Sequence, residues 1–150
     1  MSMIVLLDAG PLGLITNPRI STENERSRSW LSHLVHHGTN VVIAEIADYE
    51  VRRELLRANK IHGLARLNAL KQMLQYAPIT TAIMLKAAEN WAAARRMGRP
   101  SAHDGSLDAD MILAAQASEL ARDGGEVVIA TTNTRHLERF AAAQLWDRIG

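Results

Sequence analysis

The hydrophobic pattern of the chain predicts three short, fully buried strands. Apolar runs rich in β-branched residues occupy MIVLL (3–7), VVIA (41–44) and VVIA (127–130). None of the runs alternates with polar residues. Short unbroken runs of this kind are typical of strands that are covered on both faces, as in parallel sheets. We therefore expect a mainly parallel sheet.

Longer stretches between these runs show helical periodicity. They carry apolar residues three and four positions apart, often start at a capping residue and often stop at Gly or Pro. The predicted helices cover 21–38, 45–58, 60–75, 81–97 and, after a loop at 99–106, 109–121. Strands that alternate with helices in this way indicate an α/β fold.

Composition limits what kind of protein this is. The chain has 150 residues, which fits a single domain over 1–150. Its net charge is only +1, so any nucleic-acid binding must come from a local patch. It contains no cysteine, which excludes disulfides, thiolate metal sites and cysteine nucleophiles. Asp8 and Pro11 interrupt the first apolar run, so we expect neither a signal peptide nor a membrane span, and a cytoplasmic protein.

Acidic residues follow the predicted strands. Asp8 comes directly after the first strand, Glu45 and Glu50 follow the second, and Asp108 and Asp110 lie near the start of the apolar helix at 109–121. In open α/β sheets, ligands bind in the crevice beyond the carboxyl ends of the strands. We therefore expect carboxylates from several segments to converge there.

Such a cluster requires a compensating positive charge, because ionised carboxylates at close range raise each other's pKa. A hard cation such as Mg²⁺ or Mn²⁺ accepts oxygen ligands and activates water for attack on a phosphodiester. Thr131 and Asn133, after the last strand, add two further oxygen ligands. The sequence thus predicts a divalent-metal site at this edge of the sheet.

Several of these residues also have structural explanations. Asp8 could simply start a turn, Asp108 could cap the helix, Asp110 could interact with the helix dipole, and Asn133 could cap a following helix. Residues two apart do not share a helix face. We therefore favour Asp110 as a ligand and leave Asp108 as a cap or outer ligand. From the residues alone, Glu45 and Glu50 are equally good candidates.

The segments MIVLLDAG, IAEIADYEVRREL, LDADMILAAQA and VVIATTNTRHL together resemble the PIN domain family, which includes VapC-like toxins and ribonucleases similar to the PilT N-terminus. The family has a strand ending in Asp, a helix carrying Glu, an Asp at the start of an apolar helix, and a strand ending in Thr-x-Asn or Thr-x-Asp. These features match Asp8, Glu50, Asp110, Thr131 and Asn133. The resemblance therefore selects Glu50 over the earlier glutamate.

The resemblance implies a three-layer α/β/α sandwich and a metal-dependent endoribonuclease, as in the toxins of toxin–antitoxin pairs. By this analogy Asp8, Glu50 and Asp110 would hold Mg²⁺ or Mn²⁺, and Asn133 would orient the attacking water or the metal. Thr131 would belong to an outer shell, as Asp108 also could. RNA, an antitoxin protein and a second copy of the chain would be the partners.

Two departures from the family pattern support an alternative. The chain has Ala9 and Gly10 where many members carry Ser or Thr, and Asn133 where many carry a fourth carboxylate. Fewer acidic ligands predict weaker metal binding. The second hypothesis is therefore a PIN-like module that binds RNA or a protein partner with little or no cleavage.

The remaining candidate binding residues are arginines and histidines. Arg52, Arg53 and Arg57 follow the second strand and would contact RNA phosphates if they flank the crevice. His33 and His37 have a spacing that can bind zinc. No third ligand lies nearby in the sequence, so a solvated helix face is the better interpretation of this pair.

Overall fold

A computed structural model describes residues 3–97 and 104–150. The described residues form a sheet surrounded by helices, with three short 3₁₀ turns near the C-terminus. The strands are β1 (Met3–Leu7), β2 (Asn40–Ala44), β3 (Gln75–Ala77), β4 (Glu126–Thr131) and β5 (Ala143–Leu145). The helices are α1 (Ala9–Thr16), α2 (Thr22–His36), α3 (Glu45–Arg57), α4 (Ile61–Met73), α5 (Thr81–Arg96) and α6 (Asp104–Leu120).

The sheet is parallel throughout, with strand order β3-β2-β1-β4-β5. The consecutive residues Val5, Leu6 and Leu7 of β1 are all completely buried. Successive side chains of a strand point to opposite faces, so both faces of the sheet are covered. The predicted three-layer α/β/α sandwich is confirmed.

The order of the strands places a switch point beside β1. From β1 the chain continues through β2 to β3 on one side of the sheet, and then adds β4 and β5 on the other side. Leu7 and Ala130 are paired in the β1–β4 ladder. The residues that follow, Asp8 and Thr131, therefore leave the sheet side by side, where open α/β sheets bind their ligands.

Helix α1 was not predicted from the sequence. Its apolar periodicity is interrupted by Gly10, Pro11 and Gly13. The helix tolerates Pro11 because this residue lies in the first turn, where no intrahelical N–H donor is needed. Leu12 and Ile15 are buried in the main core. Tertiary packing thus stabilises a helix whose local propensity is poor.

Other boundaries also differ from the prediction. Helix α6 already begins at Asp104, so the predicted loop is wrong for 104–106, and its remainder, 99–103, lies outside the described residues. The helix that Asn133 could have capped is only a 3₁₀ turn at Leu137–Arg139. Strands β3 and β5 have three residues each, too few to show a periodicity.

Helices α5 and α6 pack as a pair with a small core of their own. Ile83 and Ala87 of α5 contact Leu107, Met111 and Ala115 of α6, and all are buried. This pairing fixes the start of α6, which carries Asp110. In the described segments, no helix has the length and apolar character to cross a membrane.

Candidate active site

Asp8 is held in place by two hydrogen bonds. It caps α1, with Oδ1 accepting from the backbone N–H of Ala9 at 2.7 Å. The hydroxyl of Thr131 donates to Oδ2, also at 2.7 Å. Thr131 is itself only 1% exposed, and its oxygen accepts the backbone N–H of Asn133 at 3.1 Å. The ends of β1 and β4 thus fix the orientation of this carboxylate.

Glu50 of α3 and Asp110 of α6 reach the same cavity as Asp8. The cavity has a volume of about 360 Å³ and opens at the carboxyl edge of the sheet. Three separate segments of the chain each contribute one carboxylate. The remaining lining residues are Ala9, Gly10, Ser106, Thr131, Thr132, Asn133 and His136.

The three carboxylates act on each other electrostatically. Burial raises the pKa of Asp8 even though its two hydrogen bonds favour the charged form. Burial and then the charge of Asp8 raise the pKa of Glu50, against a smaller opposing effect of Arg53. Burial, Asp8 and Glu50 together raise the pKa of Asp110 to about 7. The cavity therefore carries more negative charge at neutral pH than its surroundings compensate.

This donor set fits a hard divalent cation in its chemistry. All three groups offer carboxylate oxygens, which Mg²⁺ and Mn²⁺ prefer, and a cation among them would offset the burial and repulsion that raise their pKa values. Among the side chains that the structure describes, however, no three acidic or histidine groups already form a compact ligand cluster.

Asn133 borders the cavity, and part of its side chain is already used. Its Oδ1 accepts the backbone N–H of Arg135 at 3.1 Å, which closes a turn after β4. Asn133 lines the same cavity as the carboxylates. In this position a neutral Asn adds a polar group to the cavity without adding a fourth negative charge.

Asp108 does not line this cavity. It is exposed on another side of α6 and lines a groove with residues of α5, among them Ala87 and Trp91. The outer-shell role considered for Asp108 is therefore not supported. The spacing of two residues separates Asp108 from Asp110 around the helix, as helical geometry requires.

The structure also separates the two glutamates that follow β2. The carboxylate of Glu45 accepts the backbone N–H of Ile79 at 2.7 Å. This bond ties the start of α3 to the segment between β3 and α5. Glu45 therefore has a structural partner, whereas Glu50 faces the acidic cavity.

Arg52 belongs to an ionic network around the buried carboxylate of Asp48, which counts against the RNA contact predicted for it. Its guanidinium donates to Asp48 at 3.0 Å and to Asn68 at 2.9 Å. Asp48 also accepts from the hydroxyl of Tyr76 at 2.7 Å and lies 3.4 Å from the ammonium of Lys71. Burial alone would raise the pKa of Asp48, but these partners outweigh it and lower the pKa. Arg52 therefore joins α3 to α4 and β3.

Arg53 and Arg57 are exposed, in contrast to Arg52. The Arg53 guanidinium lies 5.1 Å from the ring centre of Tyr49. Arg57 pairs with Glu54 at 2.7 Å on the helix surface. Both arginines line a second groove that begins at Glu50.

Sequence reasoning did not identify the contact between Gly10 and Thr132. A Cβ atom at Gly10 would lie 2.5 Å from Oγ1 and 2.7 Å from Cγ2 of Thr132, well inside normal contact distance. The start of α1 thus approaches the end of β4 as closely as a glycine allows. This packing explains why position 10 carries no side chain. No local sequence pattern predicts the contact between Gly10 and Thr132, since the two residues are far apart in the sequence.

Comparison with known proteins supports the fold. No family model and no curated protein matches the chain. The structure is similar to that of VapBC2 from Rickettsia felis bound to a DNA fragment from their promoter, with a TM-score of 0.71 at 15% identity, covering 96% of this chain and 99% of that one. It is also similar to VapBC-1 from nontypeable Haemophilus influenzae, with a TM-score of 0.68 at 17% identity and coverage of 96% and 98%.

A third similar structure is VapC20 from Mycobacterium tuberculosis, a sarcin-ricin loop cleaving toxin. Its TM-score is 0.58 at 12% identity, and the match covers 90% of this chain and 94% of that one. At these identities the similarity concerns the fold alone. The chain therefore has the three-layer fold of the VapC proteins, and its resemblance to PIN domains is confirmed at the level of the fold.

Proposed function

We propose that the chain is a Mg²⁺- or Mn²⁺-dependent endoribonuclease. The observation that carries this proposal is the meeting of Asp8, Glu50 and Asp110, from three segments, in one cavity at the switch point of the sheet. A site that only bound RNA would gain nothing from concentrating negative charge where phosphates must approach. Uncompensated carboxylates are useful in such a place when a cation joins them.

Each residue has a defined task in this proposal. Asp8, Glu50 and Asp110 would hold the cation, which when bound acts as a Lewis acid and lowers the pKa of water. Thr131 holds Asp8 in its orientation through the hydroxyl bond. Asn133 would orient water or phosphate from the rim of the cavity.

RNA as the substrate is supported by the fold it shares with VapC20, a sarcin-ricin loop cleaving toxin. We extend the proposal to a role as the toxin of a toxin–antitoxin pair, with an antitoxin protein as partner. Solved neighbours with this fold are VapBC structures.

A homodimer is part of the same proposal, because Met84, Leu85 and Trp91 expose apolar surface on α5. Light scattering at micromolar concentration would test it, and a monomer mass would contradict it.

The test of the proposed activity compares two neighbouring carboxylates of α6. Wild type, Asp110→Asn and Asp108→Asn are incubated with a mixed RNA pool, with Mn²⁺ or with EDTA. Thermal unfolding is followed on the same samples. We expect metal-dependent cleavage by wild type and Asp108→Asn, together with a Mn²⁺-induced rise in Tm, and the loss of both in Asp110→Asn.

The alternative function, a binding module without cleavage, is favoured by the absence of a compact ligand cluster among the described side chains. It predicts that wild type binds the RNA pool, shows no Mn²⁺-induced rise in Tm and leaves the RNA intact. Equal metal-dependent cleavage by Asp110→Asn and wild type would contradict the role of Asp110 in the proposed site.

A further inference from the structure

A long groove leads away from the acidic cavity between α1 and α3. Its volume is about 950 Å³, more than twice that of the acidic cavity. Ala9, Gly10 and Glu50 line both spaces, so the two lie side by side. Gly13 and Val51 approach each other within the groove, and a Cβ atom at Gly13 would only just reach Val51, at 4.0 Å.

Cationic side chains from three different segments line this groove. Arg19 comes from the connection between α1 and α2, Arg53 and Arg57 from α3, and Lys60 from the corner between α3 and α4. Glu54 is the anion among them, apart from the shared Glu50. The net charge on the chain is only +1, so this group is a local concentration of positive charge beside a negatively charged cavity.

Arg19 lies on a well-anchored turn. Its backbone N–H donates to Oδ1 of Asn17 at 3.0 Å, and its carbonyl accepts from Nδ2 of Asn24 at 2.9 Å. Asn24 is buried. Within the described residues, the Arg19 guanidinium itself has neither a hydrogen-bond partner nor an ion-pair partner. The backbone is fixed, and the charge remains available for a ligand.

Lys60 lies just beyond the C-terminal end of α3, and its backbone is fixed like that of Arg19. Its backbone N–H donates to the carbonyl of Leu55 at 2.8 Å, and the preceding Asn59 adopts a left-handed conformation with φ 54°. Leu55 packs directly against Gly63 of α4. As with Arg19, no described residue pairs with the ammonium of Lys60.

The two arginines of α3 can also exchange their present contacts for a ligand. The pair between Arg57 and Glu54 is largely exposed on both sides, and exposed pairs contribute little stability. Arg53 lies over the exposed ring of Tyr49. A phosphate can replace either contact at small cost.

We propose that the groove between α1 and α3 binds the phosphodiester backbone of single-stranded RNA on one side of the phosphate that enters the acidic cavity. Arg19, Arg53, Arg57 and Lys60 contact the flanking phosphates. The inference rests on the proposed ribonuclease function and adds to it the path of the substrate. Phosphate contacts carry no sequence information, so this groove supplies affinity and position, not sequence preference.

Single-stranded RNA fits this arrangement better than a duplex or an acidic peptide. Asp8 is recessed at the end of a buried strand, and an extended single strand can bring a phosphate down to it. A duplex holds its phosphates on a rigid outer surface. An acidic peptide could pair with the cations of the groove, but it has no phosphodiester to place in the adjoining cavity.

The test measures RNA binding in EDTA, where the proposed cleavage cannot occur. A labelled single-stranded RNA of mixed sequence, about 12 nucleotides long, is titrated with wild type and with the double variant Arg19→Gln/Lys60→Gln, and anisotropy is followed. We expect about a tenfold loss of affinity near 0.1 M salt. The slope of log K against log salt should fall by about 1.4, since each phosphate contact on a single strand contributes about 0.7.

Two controls carry the same charge change outside the groove. Arg26→Gln/Arg122→Gln removes two exposed cations that pair with Asp147 and Glu119. Arg122 is also a match for Arg57, because each is more than 70% exposed and pairs with a Glu three residues earlier. Arg57→Gln should weaken RNA binding, and Arg122→Gln should not.

Equal losses in the groove and control variants would overturn the proposal, because they would show a response to net charge alone. Unchanged binding in the groove variants would overturn it as well. A groove double variant that keeps RNA binding but loses binding of a labelled poly-glutamate peptide would identify a protein-docking groove instead. RNA binding through the groove without any cleavage would refute the proposed function and leave this inference standing. Cleavage by wild type, together with groove variants that bind RNA normally, would support the proposed function and overturn this inference.

Discussion

Asp8→Asn tests whether the three carboxylates form one electrostatic unit. The pKa of Asp110 is raised from 3.8 to about 7, with burial as the largest cause, followed by the charges of Asp8 and Glu50. An elevation of about 3 pH units corresponds to about 4 kcal/mol. The charge of Asp8 is the second of three causes, so it supplies less than half of this energy. Solvent near the partly exposed Asp110 reduces the effect further, which leaves about 1 kcal/mol.

The sign of the pH dependence follows from proton linkage. In the unfolded chain Asp110 loses its proton near its ordinary pKa of 3.8, whereas in the folded chain it keeps the proton up to about pH 7. Between these two values the folded state binds more protons, so the free energy of unfolding falls as the pH rises. Without metal, the wild-type protein should therefore be more stable at pH 5 than at pH 8.

The replacement itself should be accommodated. Oδ1 of the new Asn can still accept from the N–H of Ala9, and its amide can donate to the Thr131 oxygen. The Thr131 hydroxyl then has another acceptor, the carbonyl of Asn133 at 3.2 Å. We expect Asp8→Asn to leave stability at pH 5 nearly unchanged and to raise it at pH 8 by about 1 kcal/mol, which is about 2–4 °C in Tm for a chain of this size.

The assay is thermal and urea unfolding at pH 5, 6, 7 and 8 in EDTA, repeated with Mn²⁺ at pH 7. Asp108→Asn is the control, because it removes one carboxylate from the exposed side of α6. Millimolar Mn²⁺ should stabilise wild type and Asp108→Asn, but not Asp8→Asn. An Asp8→Asn variant that follows the pH profile of wild type would contradict this electrostatic coupling, and so would an Asp108→Asn variant that reduces the pH dependence equally well.

Two further replacements test other parts of the site. Glu50→Gln should abolish the Mn²⁺-induced rise in Tm, whereas Glu45→Ala should retain it. Glu45→Ala should also lower the free energy of unfolding by about 1–3 kcal/mol, because it leaves a backbone N–H without its acceptor. The opposite pattern would show that the two glutamates have the reverse roles. Gly10→Ala should destabilise the fold by about 1–3 kcal/mol through overpacking, and Thr132→Gly in the same chain should recover most of that loss in urea unfolding. Additive effects in this double-mutant cycle would show that the close contact is not the cause.

The sequence was informative where burial leaves a strong local pattern. Strands β1, β2 and β4 could be predicted because both of their faces are covered, which requires continuous apolar runs. Asp8 stood out for the same reason, since a charge that directly follows such a run is unusual. Its neighbour Thr131 was recognisable as the end of another buried strand. The meeting of these two residues then followed from the rule for parallel sheets.

The sequence was uninformative where contacts between distant segments decide the outcome. Arg52 looks like any basic residue on a helix surface, and only its pairing with Asp48 shows that it is structural. Glu45 and Glu50 both follow β2, and periodicity cannot tell which one has a backbone donor opposite it. Helix α1 forms despite Gly10 and its neighbours, because packing against the core outweighs local propensity.

A comparison of two carboxylates within this protein shows why Asp8 is better explained by a ligand than by capping. Asp48 is buried, and Arg52 and Lys71 surround it, so its pKa is lowered and its charge is stabilised in the fold. Asp8 has hydrogen bonds but, in the part of the chain that the structure describes, no ion pair, and its pKa is raised. A residue needed only to cap α1 could be Ser, Thr or Asn, which do this without burying a charge. The charge of Asp8 therefore makes the apo fold less stable at neutral pH, and a bound cation would reverse this effect.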